Sequence, residues 1–436
     1  MARRSNYFQV IILVLLLPLA CKEDKTQIDP LDEKDKYPLE ISKEVLFDKV
    51  LGMMVGSAIG DAMGAPTEMW SREAIDLEYG WVSGLDSMVR EASPEGIWIP
   101  NLPAGGTTDD TRWKKLIYQY LAQEKRAELN ASNFAQHILE RYASYFEAYK
   151  TLDPMDIEKL EATNLKVFWL SEWVKVCRPM LDNDLMGYQA ALGRFYGGEM
   201  VCAGLLYSPA IGVYFPGNPE KAYNEAFKLS LFDLGYAKDI SALSAAMTAE
   251  AMKKDASPEG ILNVLRTIDP QGYFQSRLVG RSSYRILQNA LTIVNQAKGI
   301  SEDSLKREEI LVHPVEFDKT QMRKAFTLLD DALQDMPFHV GEIHLQVVTA
   351  MIFSGFDFEG TMQFLVNFGR DNDTTAAVAG AILGAYYGFE KLPGKMKTQS
   401  LKVNKNLLNT DMEALSEVLT DRIFDKYPPI KQANKY

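Results

Sequence analysis

The sequence contains few residues that bind transition metals through nitrogen or sulfur, with only four histidines and three cysteines in 436 residues. The closest histidines, His339 and His344, are five positions apart, and no glutamate is placed beside them as the HExxH motif requires. The sequence therefore argues against a zinc site.

Cysteine is also too scarce for a disulfide framework. Cys21 belongs to an N-terminal export segment, which leaves Cys177 and Cys202 in the rest of the chain. These two residues are either buried thiols or partners in a single disulfide, and the sequence favours the thiols without excluding the bond.

Clusters of lysine and arginine are absent, and the net charge is -12. A surface that binds nucleic acid needs concentrated positive charge. We therefore expect no nucleic-acid partner, and the acidic balance is compatible with cation binding.

The alternation of apolar and polar residues that is typical of β-strands is missing as well. Apolar residues recur at helical spacing from Ser42 onward, and 47% of the chain is apolar. We predict an all-α fold with one large domain over residues 42–395 and a C-terminal helical extension over residues 396–436. Scattered Gly and Pro predict a long loop over residues 71–106, and residues 298–318 read as a polar insertion.

A long apolar run is missing at the N-terminus, where Val10–Leu19 is nearly all apolar but too short for a good membrane span. This segment follows two arginines and precedes Ala20 and Cys21, which is the shape of a secretory signal. We predict a signal peptide over residues 1–20 of the lipoprotein type, with Cys21 lipidated. The alternative is an ordinary signal peptide with an incidental cysteine.

The charged, Pro-containing residues 21–41 read as a flexible tether. With a lipid on Cys21, this tether would hold the protein at a membrane. We therefore expect an exported protein that faces the periplasm or the cell surface.

Two distant segments each place acids and hydroxyls directly before a predicted helix, at residues 105–111 and 369–375. N-capping explains one aspartate in each segment, but each segment has two. If the segments meet in the core, four carboxylates need counter-charge, which divalent cations supply. Oxygen ligands favour Mg²⁺ or Mn²⁺, and two such ions ~4 Å apart would be the expected arrangement.

A third acidic segment spans residues 60–68 and includes Asp61 and Glu68. Asp61 is placed to cap or support a neighbouring turn, or to contact a substrate. Glu68 follows the helix-breaking Pro66 and is placed to face a pocket, although an exposed loop glutamate is the commoner case.

Residues 52–68, 103–111 and 366–388 together resemble the ADP-ribosylglycohydrolase superfamily of the dinitrogenase-reductase-activating glycohydrolase type, in order and in spacing. The resemblance implies a single orthogonal helical bundle that holds two Mg²⁺ or Mn²⁺ ions. The implied metal ligands are Thr108, Asp109, Asp110, Asp371, Asp373 and Thr374.

The same resemblance implies hydrolysis of an N- or O-glycosidic bond to ADP-ribose or a related ribosyl conjugate, either small or protein-linked. Glu68, Asp109 and Asp110 are the implied catalytic residues. Two alternatives stay open: a metal-dependent glycoside hydrolase for another substrate, and a non-catalytic binding protein on the same fold.

The sequence departs from the family pattern on the expected substrate side. A mid-chain Gly-Asn-Gly segment is absent, and Leu205 and Leu206 stand where Met and Arg are usual. Gly197 and Gly198 are candidates for a nearby anion-binding turn. Arg370 replaces a glycine and would pair either with a substrate phosphate or carboxylate or with a local acid.

Three tryptophans lie in and beside the predicted loop. Each would either stack on a base or sugar or pack into the domain, and packing is the commoner role. They are Trp70, Trp81 and Trp98.

Overall fold

A computed structural model describes residues 39–125, 128–198, 200–299 and 318–427. These residues form seventeen α-helices and no β-strand, which confirms the all-α prediction. The helices are α1 (Lys43–Gly64), α2 (Arg72–Tyr79), α3 (Asp109–Gln123), α4 (Ala131–Lys150), α5 (Ile157–Leu181), α6 (Leu185–Leu192), α7 (Ser208–Tyr214), α8 (Pro219–Leu229), α9 (Tyr236–Ala251), α10 (Pro258–Thr267), α11 (Ser282–Lys298), α12 (Lys319–Asp330), α13 (Val340–Phe353), α14 (Phe358–Phe368), α15 (Asn372–Tyr387), α16 (Gly394–Leu407) and α17 (Met412–Lys426).

The predicted signal peptide and Cys21 lie outside the described residues, as do most of the tether and of the polar insertion. At the end of the predicted tether, Leu39 and Ile41 are buried against the helical body. Packed residues are therefore present within the last part of the predicted tether.

Helices α1 and α15 pack against each other through small residues. Gly52, Gly56 and Gly60 recur every fourth position and face α15, where a Cβ atom at Gly60 would clash with the carbonyl oxygen of Ala376. At the end of α1, Gly64 lies against the backbone of Asp373. Because the backbones approach this closely, the first turn of α15 is fixed beside the last turn of α1.

The prediction of one long loop over residues 71–106 is wrong at its start, because α2 lies within it. The Ser71 side chain accepts a hydrogen bond from the Ala74 amide and caps this helix, and Gly80 ends it with a φ of 64°. Only Ile75 of α2 is buried, so its apolar periodicity is too weak to stand out in the sequence.

The C-terminal helices pack on the domain, with α16 and α17 both against α1. The boundary predicted at residue 395 falls within the first turn of α16. The Asn404 amide nitrogen donates to the Gly105 carbonyl at 3.0 Å, and the Thr107 hydroxyl lies 2.5 Å from the Asn404 side-chain oxygen. Helix α16 therefore supports the turn that leads into α3.

Among the described residues, no helix combines the length and the apolar character that crossing a bilayer requires. Cys177 and Cys202 are both buried free thiols, as the sequence favoured.

Candidate active site

The turn that opens α3 is built around one buried carboxylate, Asp61 of α1. Its Oδ1 accepts from the amide and the hydroxyl of Thr108 at 2.9 and 3.0 Å. Its Oδ2 accepts from the amide and the hydroxyl of Thr111 at 3.0 and 2.6 Å. Four donors on one carboxylate fix the direction in which Asp109 and Asp110 leave the helix start.

The first turns of α3 and α15 meet, although their residues are more than 260 positions apart. The Thr374 hydroxyl donates to Asp110 Oδ2 at 2.9 Å, and the Thr108 hydroxyl lies 3.3 Å from Asp373 Oδ2. The two acidic segments therefore meet in the core, which was the condition for the metal hypothesis.

The clustered acids are buried and raise one another's pKa. Burial, followed by the charges of Glu68 and Asp110, raises the pKa of Asp371 to about 8. Burial and neighbouring carboxylates also raise the pKa of Asp109 and Asp373 well above the usual range. Negative charge in this site is thus only partly compensated, which is the electrostatic situation that a cation relieves.

Three basic residues that were not predicted from the sequence lie beside the acids: Lys114, Arg90 and Arg112. Lys114 is fully buried, and its ammonium lies 3.0 Å from Asp110 Oδ1. Arg90 pairs with Glu68 at 2.5 Å on the more exposed rim. The (i, i+4) spacing of Asp110 and Lys114 was the one local signal that pointed to such a pair.

Arg112 holds the segment at residues 94–96 against α3. Its guanidinium donates to three backbone carbonyls of that segment at 2.7–2.9 Å, and the Asp109 amide donates to the Glu95 carbonyl at 3.0 Å. The Tyr196 hydroxyl donates to the Glu95 carboxylate at 3.0 Å. These contacts form one wall beside Asp109.

The profile of the ADP-ribosylglycohydrolase family matches residues 42–429 of this chain, which is most of its length. The chain belongs to the ADP-ribosylglycohydrolase family. This is a hydrolase family whose members often bind metals.

Two individual proteins are similar to this ADP-ribosylglycohydrolase family member. A solved structure described as an ADP-ribosylglycohydrolase-related protein complex matches with a TM-score of 0.51 at 19% identity, over 87% of this chain and 99% of the other. That likeness supports the fold. The uncharacterized protein YegU of Escherichia coli (strain K12) is 43% identical over 35 residues, and the match spans only 10% of that relative and 8% of this chain.

The donor set of this family member suits a hard divalent cation, because the buried side chains that meet offer carboxylate and hydroxyl oxygens. As placed, however, their oxygens contact threonine hydroxyls and Lys114. Within the described ranges, no group of three His, Cys, Asp or Glu side chains is arranged so that it could hold a metal ion. Lys114 places a nitrogen among these oxygens, and its ammonium pairs with Asp110 Oδ1, an oxygen that a metal ion would otherwise bind.

The structure does not support the substrate-binding roles predicted for Asp61, Gly197 and Gly198. Asp61 lies beneath the α3 turn with no exposed surface and all its contacts internal, so it supports the site rather than touching a substrate. The amides of Gly197 and Gly198 donate to carbonyls within their own turn at 3.1 and 3.0 Å, which leaves neither for an anion. Their positive φ values, 88° and 118°, explain why glycine is needed there.

Arg370 also has an internal partner. Its guanidinium pairs with both carboxylate oxygens of Glu342 at 2.8 and 2.9 Å and donates to the Gln334 carbonyl at 2.7 Å. Of the two roles considered for Arg370, the structure supports the salt bridge to a local acid.

Proposed function

We propose that this chain is a divalent-metal-dependent hydrolase that cleaves an N- or O-glycosidic bond to ADP-ribose or a related ribosyl conjugate. The observation that carries the proposal is the meeting of Asp110 and Thr374, which brings the acids of α3 and α15 into one buried cluster. Family membership supports the reaction class.

The residues that would hold two Mg²⁺ or Mn²⁺ ions are those at the starts of α3 and α15. When bound, the ions would supply positive charge that orients ribose hydroxyls and the attacking water. The ligands would be Thr108, Asp109, Asp110, Asp371, Asp373 and Thr374.

Glu68 would accept the proton of the attacking water, and Arg90 would orient Glu68. Glu68 is the acid at the rim of the cluster, with a side chain 19% exposed, and Arg90 fixes its orientation. In the proposed step, water attacks the anomeric carbon as the bond to the acceptor breaks, and Glu68 takes a proton from that water. The same proton then passes from Glu68 through solvent to the leaving group, which restores the carboxylate. The wall at Glu95 and Tyr196 would limit solvent beside Asp109.

A non-catalytic binding protein is the second candidate, and Lys114 is the observation that favours it. A buried ammonium on Asp110 supplies some of the charge that a metal ion would otherwise supply. Metal-dependent turnover separates the two candidates.

The deciding experiment is an activity panel on ADP-ribosyl-arginine, ADP-ribosyl-serine and simple ribosides, with Mg²⁺, Mn²⁺ or EDTA. Turnover of an ADP-ribosyl substrate that needs metal, and that is lost in Asp109→Ala and Asp373→Ala, is the expected result. Asp182→Ala, an exposed acid at the end of α5, is the matched control. Wild-type turnover in both site variants would show that the assigned site is wrong.

We further propose that the protein is exported and anchored through Cys21. The support is the shape of the N-terminal sequence alone. Cell fractionation should find the wild-type protein with membranes and Cys21→Ala in a soluble fraction; identical distributions would contradict the anchor.

A further inference from the structure

A second cavity lies beside α3, separate from the acidic cluster. It has a volume of about 360 Å³ and is enclosed by α3, α4, α5, the segment at residues 98–99 and the turn between α16 and α17. On α3 it is lined by the stripe Thr111, Lys115 and Gln119, and none of the clustered aspartates lines it. Its volume is in the range of small-molecule sites.

Four basic side chains and no acidic side chain line this cavity. In the part of the chain that the structure describes, none of the four forms an ion pair with a carboxylate. Arg112 lies near the charges of Asp109, Asp61 and Glu95 and donates to the carbonyls of residues 94–96. The other three cations have no ion-pair partner in that part of the chain, and an anion in the cavity would balance their charge. The four are Arg112, Lys115, Arg141 and Lys166.

The contacts of these cations leave charge facing the cavity. Arg141 donates to the Gln119 side chain at 2.7 Å, and Lys115 donates to the Asn409 carbonyl at 2.5 Å. The Lys166 ammonium lies 5.8 Å from the centre of the Trp98 ring. Burial lowers the pKa of Lys115, and the charges of Arg141 and Lys166 lower it further, so the cations repel one another.

Aromatic rings form another part of the wall. Trp98 packs edge-on against both Tyr145 and Trp169, with ring centres 6.3 and 5.5 Å apart. All three rings line the cavity, and the guanidinium of Arg112 lies 4.2 Å from the centre of the Trp98 ring. Aromatic and guanidinium planes of this kind are the surfaces on which nucleic-acid bases stack.

We propose that this cavity is a nucleotide-binding site that takes a nucleoside monophosphate, with the base against the tryptophans and the phosphate among the basic side chains. Phosphate pairs strongly with Arg and Lys through charge-assisted hydrogen bonds. Neither a phosphate without a ring nor a ring without a phosphate uses the whole lining. The site does not depend on the proposed metal centre.

The test is calorimetric titration of the full chain with AMP in EDTA, so that no divalent ion occupies the acidic cluster. AMP is expected to bind at one site and to quench tryptophan fluorescence, because two of the six tryptophans line the cavity. Adenosine and inorganic phosphate should each bind at least about tenfold more weakly than AMP. Absence of AMP binding, or equal affinity for AMP and either fragment, would overturn the assignment.

The cavity is located with two sets of variants. Arg141→Ala combined with Lys166→Ala should weaken AMP binding at least about tenfold. Lys150→Ala combined with Lys175→Ala, which removes exposed lysines from the same two helices, should leave affinity unchanged. If the first pair does not fold, Lys166→Glu alone should abolish AMP binding. Wild-type affinity in the cavity variants would refute the location.

Discussion

The acidic cluster and the basic cavity both border α3, yet their charges are held in different ways. In the cluster, Asp61 accepts four hydrogen bonds and Asp110 is paired with the buried Lys114. In the cavity, Arg141 and Lys166 have no acidic partner among the described residues. Neighbouring stripes of one helix therefore present acidic side chains on one side and basic side chains on the other.

The largest expected effect comes from Asp61→Ala. It leaves the amides of Thr108 and Thr111 without acceptors inside the core, so we expect a loss of about 3 kcal/mol of stability. Activity should fall about 10–100-fold, because the first turn of α3 loses its support. Chemical denaturation and steady-state kinetics measure both.

The control for Asp61→Ala is the pair Arg141→Ala and Lys166→Ala in the cavity. These cations are half-buried and have no acidic partner, so their loss should change stability by less than about 0.5 kcal/mol. Equal destabilisation by both sets of changes would break the contrast between the two sites.

The next effect concerns Lys114. In Lys114→Met, Asp110 loses its buried partner, and metal-free protein should be destabilised by about 3 kcal/mol. Mn²⁺ should then raise the melting temperature more in the variant than in the wild type, since the ion replaces the missing charge. Thermal unfolding with and without Mn²⁺ measures this. An equal rise in melting temperature in both proteins would argue that Lys114 does not supply the charge that Mn²⁺ replaces.

The stability of metal-free protein should depend on pH through the acidic cluster. The pKa of Asp371 is raised from 3.8 to about 8 and that of Asp61 to about 6, so the folded state binds these protons more tightly than the unfolded chain. Stability is therefore highest below the unfolded value and falls as pH rises from about 4 to about 8.

Metal should reverse this trend, because binding favours the ionised acids and so strengthens as pH rises. Melting curves in EDTA and in Mn²⁺ across the same pH range measure both slopes. A melting temperature in EDTA that does not change with pH would contradict the burial of uncompensated acids.

The smallest effect is expected for Arg370→Gly. This residue has a φ of 65°, which glycine adopts freely, and the buried Glu342 carboxylate keeps its hydrogen bonds from the Gln334 amide and the Gln346 side chain. Loss of the guanidinium should therefore cost about 1–2 kcal/mol of stability, and KM should stay the same. A large rise in KM would return Arg370 to the substrate side.

Local signals predicted the helices, whereas the meeting of the acids was a condition that only the family resemblance implied. Apolar residues at helical spacing indicated the helices, and paired acids at two helix starts exceeded the needs of capping. Both signals can be recognised in a short stretch of sequence without knowing which distant residues it contacts.

The errors arose where a partner far along the chain decides the outcome. Nothing local showed that Glu342 pairs with Arg370, or that the amides of Gly197 and Gly198 are used within their own turn. The unpaired cations of the second cavity likewise come from three different helices. Their charges are scattered along the sequence, so a search for basic clusters did not find them.

Acids from α3 and α15 are proposed to form one cation site, and calorimetric titration with Mn²⁺ measures that binding. We predict that the wild-type protein binds Mn²⁺ and that Asp110→Asn and Asp373→Asn each weaken binding at least about tenfold, while Asp182→Asn does not. Failure of the wild type to bind Mn²⁺, or unchanged affinity in both site variants, would contradict the account.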